Sequence, residues 1–256
     1  MQAMLLVADI GNTRIKWGLC DDSGIARSAS LPDDSDAWRE QIARWRLQGP
    51  QSWVLASVQP TRCERLANFL RSRSDTVRVL QGYQQLPLIL KLESPSQVGI
   101  DRLLNALAAK AQVIPGTPAI IVDAGTAVTV DLLDDEGAFV GGSIFPGLQL
   151  MAEALHDHTA LLPLVDLESA VPLVPAGTTD TAIAAGVHWA VAGGISALVR
   201  AISLTVPCLE RRIPVFLTGG DASKIQFDLL DHDLFQYDVR PTMTLEGIRI
   251  AALALP

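Results

Sequence analysis

The sequence predicts an α/β chain built from two duplicated halves with a cleft between them. Three observations carry that prediction. Short apolar runs alternate with segments of helical periodicity, an Asp-x-Gly turn recurs in the same frame at Asp9-Ile10-Gly11 and Asp123-Ala124-Gly125, and 256 residues suffice for two modest domains. Hydrophobic residues at 49% and charged residues at 19% form an ordinary globular mix, which excludes a disordered chain.

Leu5 to Ala8 reads as a buried strand that breaks at Asp9-Ile10-Gly11-Asn12-Thr13. Ile15, Trp17 and Leu19 then alternate with Lys16, Gly18 and Cys20 as a second strand, closed by the turn Asp21-Asp22-Ser23-Gly24. Asp36 to Gln48 places Trp38, Ile42 and Trp45 on one helical face, and Thr61 to Arg73 does the same with Leu66, Phe69 and Leu70. Trp53 to Val58 and Thr76 to Leu80 are strands around that second helix. After a loop near Pro87 and Pro95, Gly99-Ile100-Asp101-Arg102 leads into a helix carrying Leu103, Leu104 and Leu107, which Pro115-Gly116 ends.

The opening pattern then returns. Ala119 to Val122 runs into Asp123-Ala124-Gly125-Thr126, Val128, Val130 and Leu132 alternate, and Asp134-Asp135-Glu136-Gly137 closes the pair. A period this long is a duplicated domain rather than a solenoid, whose repeats span about 20 to 50 residues. The expected division is 1–115 and 116–256, with a ligand cleft between the halves. Thr178-Thr179-Asp180 caps a long apolar helix, and Pro214 to Leu217 runs through Thr218-Gly219-Gly220-Asp221 into another.

Composition removes several function classes. A net charge of -8 without a basic block speaks against nucleic-acid binding. Cys20, Cys63 and Cys208 lie far apart without a C-x-x-C pair, so neither a disulfide framework nor a zinc site is expected, and a reducing, cytoplasmic setting fits. Met1 to Asp9 holds no basic residue, contrary to a signal peptide. Ala182 to Val199 is long enough to approach a membrane span, but Gly186, Gly193, Gly194 and His188 make it a buried helix instead. His156-x-His158 lacks a third ligand and reads as a solvated loop.

The chemistry concentrates in the two Asp-x-Gly turns. The familiar P-loop, dinucleotide and kinase-loop signatures are absent. A strand-terminal turn of this kind aims backbone N–H groups and hydroxyls at anionic oxygens, and Asp9 and Asp123 supply hard oxygen ligands for a cation beside them. Asp101 stands at a helix mouth, where it either caps the helix or accepts a proton from a substrate hydroxyl while Arg102 holds an anionic group.

Asp9-Ile10-Gly11-Asn12-Thr13, Gly99-Ile100-Asp101-Arg102, Asp123-Ala124-Gly125-Thr126-Ala127, Gly141 to Gly147, Thr218-Gly219-Gly220-Asp221 and Leu245-Glu246-Gly247 occur in this order over essentially the whole chain. Together they resemble the type III pantothenate kinases. The resemblance implies an actin-like ATPase fold (the acetate and sugar kinase/actin superfamily), and phosphorylation of pantothenate by ATP with Mg²⁺ as the first step of coenzyme A synthesis.

The resemblance further implies that the segment Asp9, Ile10, Gly11, Asn12, Thr13, Arg14, Ile15 and Lys16 is the first phosphate loop, with Asp9 near Mg²⁺. Thr126 is an ATP contact, and Asp123 is a ligand for K⁺ or NH₄⁺. Gly99, Ile100, Asp101, Arg102 and Thr179 meet pantothenate, Asp101 as the proton acceptor. It also implies a homodimer near whose interface Ala182 to Val199 packs. Leu92 stands where the family carries a tyrosine that walls the pantothenate pocket, so a hydroxyl is lost there. Two other readings share these residues: an accessory or regulatory protein that keeps the nucleotide fold, and a kinase for another small hydroxyl acceptor.

Overall fold

The computed structural model describes residues 4–167, 172–206, 212–225 and 235–255; Cys208 lies outside them. The chain divides into two compact units, one running to Gln112 and resuming at Thr242, the other spanning Val113–Pro241.

In the first unit β1 (Leu5–Ile10), β2 (Ile15–Asp21), β3 (Gly24–Leu31), β4 (Ser52–Ser57) and β5 (Thr76–Val79) form a sheet ordered β3-β2-β1-β4-β5. β1 is antiparallel to β2 and parallel to β4, which is parallel to β5. Leu6, Ala8, Ile10, Ile15, Trp17, Trp53 and Leu55 face α1 (Ser35–Trp45) and α2 (Pro60–Ser72), where Trp38, Ile42, Leu66 and Leu70 complete a core. Each fully buried aliphatic side chain contributes about 1.5–3 kcal/mol. Val7 and Gly18 belong to the opposite face, where Leu245 approaches Gly18. There α3 (Ile100–Lys110) packs on α6 (Met243–Ala254), and the buried Thr244 hydroxyl donates to Asn105 Oδ1 at 2.8 Å. A two-residue strand, β6 (Ile89–Leu90), lies in the connection before α3.

In the second unit β7 (Ala119–Ala124), β8 (Ala127–Leu133), β9 (Ala138–Pro146), β10 (Ile213–Thr218) and β11 (Phe235–Val239) follow the order β11-β10-β7-β8-β9. α4 (Leu148–Asp157) and α5 (Thr179–Ser203) cover it, with Ile120, Val122, Val128, Val130, Val187, Val191, Ile195 and Val215 in the core.

The internal repeat is thus a repeat of topology: in both units the first strand sits between its antiparallel hairpin partner and a parallel strand. It extends to detail. The β2–β3 and β8–β9 hairpins each carry a register shift at the end of their first strand, between Leu19 and Cys20 and between Leu132 and Leu133. Each closing turn is held by its first aspartate: Asp21 Oδ1 accepts the Ser23 and Gly24 N–H groups, and Asp134 Oδ1 those of Glu136 and Ala138. The Ser23 hydroxyl bond, followed by its N–H, holds the Asp21 carboxyl below its ordinary range.

Several elements differ from the sequence reading. The strands run through Asp9 and Asp123, because ladder pairing continues to Ile10 and Ala124. α1 stops at Trp45, since Arg46 turns left-handed at φ 56° and its N–H caps Ala43. β3, β6, β9, α4, β11 and α6 are absent from that reading; His156 closes α4 rather than lying in a loop, and its Nδ1 stands 3.0 Å from Leu162 O. The segment from Thr242 onward returns to the first unit, whereas 116–256 was expected to stay together; α6 carries the apolar face that covers β1 and α3. After β10, residues 221–225 form turns, and the helix expected there falls beyond the described residues.

α5 is long and apolar enough to cross a membrane by length and composition, with 44% of its most apolar window buried. It is therefore not hidden on most sides. One stripe, Ile183, Val187, Val191, Ile195 and Val199, is buried, while Ala182, Gly186, Ala190, Gly193 and Ala197 are exposed.

Candidate active site

The parallel strands β1 and β4 end at one edge of the first sheet, the place where open α/β sheets receive ligands. Asp9 is the penultimate residue of β1 and is paired with Lys16 across the ladder, so both side chains share a face. The next pair, Ile10 and Ile15, is fully buried and anchors the turn between the strands. That turn is closed by the Gly11 N–H donating to Arg14 O at 3.1 Å, and it leaves Asn12, Thr13 and Arg14 exposed. Ile10 O accepts from the Val58 N–H and the Ser57 hydroxyl, both at 3.3 Å, which ties the turn to the end of β4.

The start of α3 meets the same β4 end. Gly99 is the N-cap, and a β-carbon there would stand 3.9 Å from Val58 Cγ1 and run into Asp101 Oδ1. Asp101 therefore folds back over its glycine neighbour, its Oδ1 also accepting the Arg102 N–H at 2.8 Å. Gly99 offers no side chain to cap this helix, and the Asp101 carboxylate instead satisfies one first-turn N–H, that of Arg102. A cavity of about 450 Å³ opens here, with Ser57, Val58, Gln81, Tyr83, Gly99 and Ile100 in its lining. Leu92 is half-buried and outside that lining. Tyr83, from the loop after β5, supplies the aromatic wall; sequence reasoning passed over it because nothing in its spacing marks it.

The second unit assembles its counterpart from three separate segments. Asp123 is again penultimate in its strand, and the Gly125 N–H closes the turn on Ala127 O at 3.1 Å, exposing Thr126. Gly147 lies against the Gly125 and Thr126 carbonyls so closely that any β-carbon would overlap them, and its N–H donates to Thr126 O at 2.9 Å. Gly219, at φ 98°, packs on the Ala124 backbone with equally little room, while the Asp221 N–H donates to Ala124 O at 2.9 Å. Three motifs far apart in sequence thus meet at one strand end.

Thr218 pairs in register with Asp123 on the parallel strand, which puts both side chains on one face. Its Oγ1 is buried and has no hydrogen-bond partner among the described residues. A carboxylate beside an unsatisfied hydroxyl is a hard-oxygen donor set, and it fits an alkali cation or Mg²⁺. Among the described residues no cluster of three His, Cys, Asp or Glu side chains occurs. Thr179 stands exposed as the first residue of α5, beside Thr178, whose hydroxyl caps the helix at the Thr181 N–H.

Comparison with known proteins gives a consistent result. The family model for type III pantothenate kinase matches residues 5–201. A type III pantothenate kinase of Janthinobacterium sp. (strain Marseille) is 36% identical over 271 residues, covering 98% of each chain, and one from Rubrobacter xylanophilus is 32% identical over 268 residues, covering 96% of each. Among solved structures, MreB5 of Spiroplasma citri bound to ADP aligns with 97% of this chain and 96% of its own at 12% identity and a TM-score of 0.54. That likeness shows the actin-like ATPase fold.

Proposed function

The chain belongs to the type III pantothenate kinase family, and from that premise we propose that it transfers the γ-phosphoryl group of ATP to the terminal hydroxyl of pantothenate, producing 4'-phosphopantothenate for coenzyme A synthesis. The observation that carries the reading is the Asp101 carboxylate, folded over Gly99 at the mouth of α3 next to the cavity that Gly99 and Ile100 line. A loose phosphoryl-transfer transition state needs alignment of the attacking hydroxyl and late acceptance of its proton, and a single positioned carboxylate does both. Arg102 follows directly and holds the pantothenate carboxylate. The cavity beside Gly99 and Ile100 takes the neutral amide and hydroxyl groups, since Ser57, Gln81 and Tyr83 offer uncharged partners.

The turn from Asp9 to Lys16 receives the phosphates through backbone N–H groups, and the turn at Thr126 contributes a second set. When bound, Mg²⁺ supplies charge neutralisation on the phosphate oxygens, with Asp9 as its protein neighbour. The orphaned Thr218 hydroxyl beside Asp123 supports a K⁺ or NH₄⁺ site at that strand end. Thr179 is a further substrate contact. The exposed small-residue stripe of α5 supports a homodimer, because Ala and Gly let a second helix approach closely. Two buried free thiols, Cys20 and Cys63, support a reducing cytoplasmic setting.

Asp101→Asn keeps size and helix position but removes the proton acceptor. Its kcat is expected to fall about 10²–10⁴-fold with KM for ATP unchanged. Near wild-type turnover would reduce Asp101 to a structural residue and overturn the assignment.

A further inference from the structure

Arg62 belongs to no motif read in the sequence, yet it reaches the first turn. From α2 its Nη1 donates to Gly11 O at 3.3 Å, while its Nε lies 3.6 Å from Asp33 Oδ2. Arg65, one helical turn on, donates to the same carboxylate oxygen at 2.9 Å and also approaches Asp33 O. The Asp33 side chain is 13% exposed, against 29% for Arg62 and 56% for Arg65. One sheltered carboxylate thus holds two guanidinium groups, and Arg62 carries the connection on to the backbone of the turn.

That connection fixes more than one atom. A trans peptide keeps its C=O and N–H on opposite sides, so holding Gly11 O toward α2 points the Asn12 N–H away from it. Glycine resists a flip of this peptide less than other residues do. A flipped Gly11–Asn12 peptide would present a carbonyl oxygen, instead of an N–H, on the exposed side of the turn, and there it would repel a phosphate. Lysine could not replace Arg62 fully, because the planar fork serves Asp33 through Nε and Gly11 through Nη1 at once.

We propose that Arg62 is a positioning residue for nucleotide binding: it locks the Gly11–Asn12 peptide in the orientation that offers its N–H to the ATP phosphates. The proposal rests on the reading of Asp9–Lys16 as a phosphate loop. It is tested by steady-state kinetics, together with calorimetric binding of ADPNP, on Arg62→Ala, Arg62→Lys, Arg65→Ala and Asn12→Pro, the last of which deletes the N–H itself. Thermal melting of each variant verifies that it is folded.

Arg62→Ala is expected to raise KM for ATP and Kd for ADPNP about tenfold, the scale of one hydrogen bond from a charged donor, with KM for pantothenate within about twofold. Arg62→Lys should recover part of the loss, and Arg65→Ala should bind ATP as the wild type does. If Asn12→Pro weakens nucleotide binding but Arg62→Ala does not, the role given to Arg62 is wrong. An equal loss in Arg65→Ala also overturns it, because ion-pair charge rather than peptide orientation would then be responsible. If Asn12→Pro binds nucleotide normally, the phosphate-loop reading itself falls.

Discussion

Single residues in this chain are explained by what they leave unsatisfied as much as by what they bond. His188, on the buried stripe of α5, is 5% exposed, and its Nε2 has no hydrogen-bond partner among the described residues. Burial pushes its pKa below the ordinary value, so the folded state favours the neutral ring. A base with a depressed folded pKa binds fewer protons folded than unfolded, so its stabilising contribution is complete above about pH 6.5 and declines as pH falls below it. Denaturant titrations of wild type and His188→Gln at pH 5 and pH 7.5 should therefore show a smaller acid loss in the variant. An identical pH dependence in both proteins would contradict this account. The sequence showed the histidine within an apolar run but not its environment, since the orphaned nitrogen depends on which stripe of α5 faces the sheet.

Among elements, the packing of β4 against β5 depends on one buried carboxylate. Asp75, with a fully buried side chain, accepts the Gln51 N–H at 2.8 Å, Trp53 Nε1 at 3.2 Å and Arg73 Nε at 3.3 Å. Asp75→Ala leaves an indole and a backbone donor without their partner beside the tryptophan core, and it should cost about 3 kcal/mol. Urea unfolding with an unchanged m-value would measure this, and a loss below about 1 kcal/mol would show that water or rotamer changes compensate. Helices with strong periodicity, such as α1 and α2, were legible in the sequence because Trp38, Ile42, Leu66 and Leu70 repeat at three and four. β3 was not, because Arg27, Ser28 and Ser30 hide the alternation of a strand paired on one side. Asp9 and Asp123 looked like turn residues; the ladder extends through them because Ile10 and Ala124 still find partners.

For the whole molecule, the duplication was the feature most fully written in the sequence. Two Asp-x-Gly turns and two Asp-Asp-x-Gly turns announced it, and the strand orders of the two units repeat it down to the bulge before each hairpin turn. What local pattern could not convey was long-range convergence. Gly147 and Gly219 become part of the second turn only through packing on Gly125 and Ala124, and α6 joins the first unit from the far end of the chain. Tyr83 and Arg62 escaped notice for the same reason, since each acts through a neighbour distant in sequence. The central claim, phosphoryl transfer from ATP to pantothenate, is most directly tested by incubating the protein with ATP, Mg²⁺, K⁺ and pantothenate and identifying the product by mass spectrometry while ADP is counted. 4'-Phosphopantothenate is expected in equal amount to ADP, with neither formed when pantothenate is omitted. ADP release independent of pantothenate, or a folded protein that forms no phosphorylated product, would contradict that claim.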